Sequence, residues 1–144
     1  MACQKSLKDL GLDYVDLYLI HFPISMKFIP FEEKYPPGWF HDEKAKNPSM
    51  EEDYVPIIDT WRAMEGLFEE GIARNIGVCN FRISLLRDLV NSAKIPPAVL
   101  QVELHPELTQ KKLIRYCRMN RIQMTAFSSF GSHSYVELSG ATKE

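Results

Sequence analysis

Four points along this sequence place a polar or aromatic residue at the end of a short run of β-branched and aromatic residues. His21 follows Tyr14-Val15-Asp16-Leu17-Tyr18-Leu19-Ile20, and Cys79-Asn80 follows residues 73–78. Gln101 lies within residues 98–102, with Glu103 and His105 just beyond, and Phe127-Ser128-Ser129 ends the run 122–127. A neutral imidazole at His21 can donate a hydrogen bond to a carbonyl oxygen and orient it. A strand-end histidine satisfied by backbone fits that position equally well. The amides of Asn80 and Gln101 both donate and accept. That suits a primary carboxamide such as that of a nicotinamide ring, although loop capping is the commoner use. Phe127 offers a face for stacking on a flat ring, and an isolated aromatic is more often core.

Other chemistries find less support. Glu103, His105, His21 and Cys79 match no compact zinc spacing, so no metal is expected. The sequence contains no GxGxxG loop, no phosphate-binding P-loop and no Gly-x-Ser-x-Gly elbow. Gly77 and Gly131 stand alone.

The elements that must position these residues alternate between strand and helix. Gly11 closes a helix ending in Ser6-Leu7-Lys8-Asp9-Leu10, and residues 14–20 read as a strand. Residues 22–55 hold Pro23, Pro30, Pro36-Pro37-Gly38 and Pro48, so they read as loop with at most short helices. Pro56 opens a helix on which Ile57, Trp61, Met64, Leu67 and Phe68 recur at helical spacing, closed by Gly71. Residues 73–78 are the second strand, and a helix over 84–93 follows. Pro96-Pro97 breaks the chain before the third strand, 98–102. Thr109 reads as the N-cap of a helix through Asn120, and 122–127 is the fourth strand.

Such alternation implies parallel strands with right-handed crossovers, in a barrel or an open doubly wound sheet. Active sites of both gather at the C-terminal strand ends, which is where the polar residues fall. A whole (β/α)8 barrel takes about 250 residues. The 144 residues supply four strands, so length alone favours the open sheet. The 22–55 loop is too long for a plain connector. Its aromatics, among them Phe22, Phe28, Phe31, Tyr35, Trp39 and Phe40, suit a pocket wall or lid, or anchors for the loop itself.

Composition is that of an ordinary globular protein, 45% hydrophobic and 25% charged. A net charge of −2 gives no steering toward nucleic acid or anionic membrane, and neither is an expected partner. No apolar run approaches the roughly 20 residues of a membrane span. Met1-Ala2-Cys3-Gln4-Lys5-Ser6 has no apolar signal region behind it. Three cysteines without metal spacing argue for a reducing compartment, with the cytoplasm as the default.

Several segments together resemble the aldo-keto reductases, closest to the xylose and aldose reductase branch. Leu12 to His21 is similar to that family's fourth-strand motif, Gly77-Val78-Cys79-Asn80-Phe81 to the segment after the fifth strand, and Leu100-Gln101-Val102-Glu103 with His105-Pro106 to the sixth-strand segment. Phe31-Glu32-Glu33-Lys34-Tyr35-Pro36-Pro37-Gly38 and Ser128-Ser129-Phe130-Gly131 are close to xylose reductases in particular. The resemblance covers essentially residues 1–144 as one central part of a barrel and overrides the length argument. It implies a partial (β/α)8 TIM barrel, about strands four to seven with their helices and with 22–55 as a long pocket loop.

The resemblance also implies NADPH- or NADH-dependent reduction of an aldose or other aldehyde to the alcohol. His21 would orient the substrate carbonyl, and His21, Phe22 and Trp39 would line the substrate pocket. Asn80 and Gln101 would hold the nicotinamide carboxamide with Cys79 beside them. Phe127 would stack on the ring, Ser128 and Phe130 would lie along the pyrophosphate and ribose, and Glu137 would approach the adenosine ribose. Cys79 stands where the family has serine, and Phe127 where it has tyrosine.

The family's catalytic tyrosine, lysine and aspartate precede this stretch, and its basic phosphate-gripping loop follows it. The chain alone is therefore expected to be inactive, and the start at Met1 near a helix end is read as an incomplete piece. The alternative is a truncated, non-catalytic half-barrel acting through a partner or itself. Its exposed edges at 14–20 and 122–127 would pair. An intact open-sheet cofactor domain is the third reading.

Overall fold

The computed structural model describes residues 2–36, 38 and 40–131. Helix α1 (Ala2–Leu10) leads into strand β1 (Tyr18–Ile20). Then come α2 (Ile57–Glu69), β2 (Ile76–Cys79), α3 (Ile83–Ser92), β3 (Val99–Glu103), α4 (Lys111–Met119) and β4 (Gln123–Phe127). All strand pairs are parallel and the sheet order is β1-β2-β3-β4. A doubly wound sheet reverses its order at a switch point; the described strands do not.

Alternation sorts the two faces of the sheet. In β3, Leu100 and Val102 are buried while Val99, Gln101 and Glu103 are half-buried. Ile76, Val78, Leu100 and Val102 join Trp61, Leu86, Leu113 and Cys117 in one core under the helices. The register Cys79↔Gln101↔Thr125 puts those three on the opposite, helix-free face. Gly77 lies on that face too. A Cβ there would come within 2.7 Å of the Leu19 side chain and closer still to the Val99 carbonyl. This glycine is required by close strand approach.

The first strand is shorter than the run 14–20. Val15 makes only an isolated bridge to Ala73. Between it and Tyr18, side chains take over the ladder: Asn75 Nδ2 donates to the Asp16 carbonyl and Arg74 to the Asp16 carboxylate, each at 3.0 Å. Such local side-chain bonds compete with strand pairing. In the 22–55 loop no helix occurs among the described residues. Its neck is a short antiparallel contact between Met26 and Glu52.

Thr109 does not cap α4. Gln110 precedes the helix in the left-handed region (φ 47°), and no side chain caps that end. The Gln110 amide instead reaches back to the Glu103 carbonyl at 3.3 Å.

Three helices close on a left-handed residue that returns two backbone bonds to the last turn. Gly11 (φ 67°) and Gly71 (φ 72°) do this for α1 and α2. Arg121 (φ 58°) does it for α4, with its N–H on Arg118 O at 3.3 Å and that of Ile122 on Cys117 O at 2.9 Å. A side chain in that region costs roughly 1 kcal/mol that glycine avoids. Arg121→Gly is expected to stabilise the fold by about 0.5–1 kcal/mol, seen as a higher urea midpoint. A midpoint that does not rise overturns the assignment.

Candidate functional site

The polar strand ends meet where β1, β2 and β3 finish. Asn80 follows β2 in the left-handed region (φ 62°), which Asn tolerates. The turn aims its side chain across the sheet end. Asn80 Nδ2 donates to the His21 carbonyl at 2.8 Å, while its backbone N–H donates to Gln101 O at 3.0 Å. One residue therefore ties the ends of three strands. Loop capping, the commoner use of such an amide, is realised through Nδ2.

Cys79 is 3% exposed and its thiol donates to Gln101 Oε1 at 3.9 Å. Burial pushes the Cys79 thiol above its usual range, so it keeps its proton and remains a donor near neutral pH. His21 itself is exposed, its ring 4.4 Å from that of Phe22 at 40°. Phe22 is half-buried and helps line a small hollow of about 250 Å³ with Ile20, Pro23, Ile57 and Phe81.

On the far side of Asn80 opens a cleft of about 780 Å³. Asn80, Glu103, Gln110 and Phe127 are among its walls. Phe127 is half-buried, lies in register with Glu103 and is not part of the buried core. Ser128 turns the chain (φ 49°), and the Gly131 N–H returns to its carbonyl at 2.8 Å. Phe130 in that turn is fully exposed. Trp39 and Glu137 lie outside the described residues.

Two features went unread in the sequence. Thr125 shares the helix-free face with Cys79 and Gln101, and the alternation Gln123-Thr125-Phe127 was the signal for it. Glu103 and His105, weighed there only as metal ligands, form a pair at 3.5 Å, with His105 buried. Among the described residues no three His, Cys, Asp or Glu side chains are grouped to hold a metal ion. No described helix is long and apolar enough to cross a membrane.

The model of the Aldo/keto reductase family matches residues 1–141. The chain is 50% identical over 139 residues to the NADPH-dependent aldose reductase of Saccharomyces cerevisiae, covering 96% of this chain and 42% of that one. It is 53% identical over 141 residues to the NAD(P)H-dependent D-xylose reductase of Pachysolen tannophilus, covering 98% and 43%. The solved aldose reductase of Giardia lamblia superposes with a TM-score of 0.73 at 38% identity, covering 88% of this chain and 39% of that one. An aldo-keto reductase of Bombyx mori in complex with NADP gives 0.71 at 37%, covering 88% and 35%. The chain thus spans less than half the length of the relatives it matches. Its four parallel strands, in sequential order with helices over one face, are part of a (β/α)8 barrel. Sequence and fold agree that the chain belongs to the aldo/keto reductase family.

Proposed function

We propose that these residues supply the carbonyl-orienting and nicotinamide-holding part of an NADPH- or NADH-dependent reductase of aldoses or other aldehydes. The observation that carries this is how the two amides are set at the strand ends. Gln101 Oε1 accepts from the Cys79 thiol, which turns its Nε2 away as a donor. Asn80 spends its Nδ2 on His21 O, which leaves Oδ1 as an acceptor. One donor and one acceptor complement a primary carboxamide, which has one carbonyl and one amino group. The donor set therefore fits a nicotinamide cofactor.

When bound, that cofactor supplies the hydride. The residues of this chain bind and orient. Asn80 and Gln101 fix the carboxamide, and Phe127 offers its face to the ring. Ser128 and Phe130 follow the pyrophosphate and ribose, and Glu137 the adenosine ribose. His21 donates to the substrate carbonyl oxygen, with Phe22 and Trp39 as the walls around it.

The test is a chimera in which these residues replace the matching stretch of the Pachysolen tannophilus D-xylose reductase. Retained NADPH-dependent xylose reduction is expected, with His21→Ala lowering kcat about 10²-fold or more. A folded chimera that binds no NADPH, or one indifferent to His21→Ala, overturns the proposal.

A second reading rests on the sheet order. β1 and β4 end the sheet, so each presents an edge that can pair with another chain. Association with a partner or a second copy is the non-catalytic alternative, and the sedimentation of the purified chain decides it.

A further inference from the structure

The loop of residues 22–55 is fastened at its neck and again at its tip. At the neck, the Lys27 N–H bonds Glu51 O at 2.9 Å, the Asp53 N–H bonds Ser25 O at 3.0 Å, and Lys27 pairs with Glu51 at 3.2 Å. At the tip, Tyr35 crosses to α1, where its hydroxyl donates to Asp9 Oδ2 at 2.6 Å. Lys5, one helical turn before Asp9, pairs with the same carboxylate and sits 4.0 Å over the Tyr35 ring. A phenol and an ammonium therefore converge on one carboxylate, and the ammonium also caps the phenol's ring. Hydrogen bonds to a charged acceptor are stronger than neutral ones. The cation over the ring adds a smaller attraction at an exposed site.

The tip is otherwise tied to itself. Phe31 packs edge-on against Tyr35 at 5.8 Å and 83°, and Phe28 against Phe31 at 5.6 Å and 81°. Lys34 donates to the Phe40 carbonyl and pairs with Glu43 at 2.9 Å. None of these bonds leaves the loop. Among the described residues, Tyr35 carries the tip's side-chain ties to a helix, to Asp9 and to Lys5 of α1.

We propose that Tyr35 is a latch: its contacts with Asp9 and Lys5 hold the 22–55 loop against α1, and the loop opens by release of this one residue. Because the ring stack and the Lys34 ties are internal, the tip leaves as a unit. Charge supports the arrangement. Lys5 first, then Tyr35, hold the Asp9 carboxyl below the usual carboxylate range, with Lys8 adding to the effect. The Asp9 carboxylate in turn holds the Tyr35 phenol above its usual range. At neutral pH the donor keeps its proton and the acceptor keeps its charge. The latch does not depend on the reductase proposal, since it concerns where the loop rests.

The test uses the intact chain under native conditions. Limited trypsin cleavage after Lys34, a half-buried residue whose cleavage needs the adjoining Tyr35 released, reports opening of the loop when reclosing outpaces cleavage. Tyr35→Phe is expected to raise that cleavage rate about threefold to tenfold. Asp9→Ala is expected to do the same, and the double variant to exceed the larger single effect by little, because both remove one contact. Amide hydrogen exchange should quicken over residues 28–51 and stay unchanged in β2 and β3. Wild-type cleavage in Tyr35→Phe overturns the latch. So do effects that multiply in the double variant, or exchange that quickens equally in the sheet.

Discussion

Purified on its own, this chain will consume NADPH in the presence of D-xylose no faster than a protein-free blank. Carbonyl reduction needs a proton delivered to the oxygen as hydride reaches the carbon, and a missing general acid typically costs about 10²–10⁴-fold. The family resemblance assigns that acid to a tyrosine that matches no residue of this stretch. Of the five described tyrosines, Tyr116 packs from α4 against the core. Tyr14 lies under the Arg74 guanidinium at 3.9 Å, and Tyr18 packs against the core. Tyr35 is held by Asp9, and Tyr54 is 93% exposed. Lys27 pairs with Glu51 in the loop neck, which removes it as a stand-in for the family's lysine. His21 can orient a carbonyl but stands without that acid. Loss of NADPH absorbance that depends on xylose and exceeds the blank would overturn the prediction. It would also require an acid among the residues present.

The strand ends were legible because their chemistry is local. His21, Asn80, Gln101 and Phe127 each follow or sit in a β-branched run, and a parallel sheet brings such ends to one side. Their partners were not legible. That Asn80 reaches His21 O and Gln101 O depends on strand register and on its positive φ, and neither is written in the neighbouring residues. Helix closures by Gly11 and Gly71 could be read from glycine alone, whereas the same closure at Arg121 could not. The start of α4 was misplaced for a related reason. Thr109 has the right hydroxyl for a cap, but a left-handed Gln110 after it aims the chain differently. Strand β1 lost its first half to the side chains of Arg74 and Asn75, a tertiary contact across 58 and 59 residues. The choice of barrel over open sheet rested on the family resemblance, because four alternating units satisfy both folds. The sheet order supplied what the alternation lacked.

Trp61→Ala will cost the chain about 3–5 kcal/mol, the largest loss expected from any single side chain here. Trp61 is completely buried and belongs to the core between α2, α3 and the sheet. Its indole Nε1 donates to the Ile95 carbonyl at 2.9 Å. That bond helps fix the turn before Pro96-Pro97. Glu65, one helical turn later, accepts the N–H groups of Lys94 and Ile95 at 2.7 and 2.9 Å. The same short segment sets the entry of β3, and so the height of Gln101 at the site. Truncation removes the largest ring of the core, leaves a cavity and takes the donor from a part-buried carbonyl, which adds up to about 1 kcal/mol. Native domains have only about 5–15 kcal/mol in hand, and a sheet of four strands buries less than a whole barrel. Trp61→Ala should therefore shift the urea midpoint toward zero. Trp61→Phe, which keeps most of the volume and loses the bond, should cost about 1–2 kcal/mol. A Trp61→Ala midpoint equal to that of Trp61→Phe would mean that the core collapses around the vacancy and that volume is not what this position supplies.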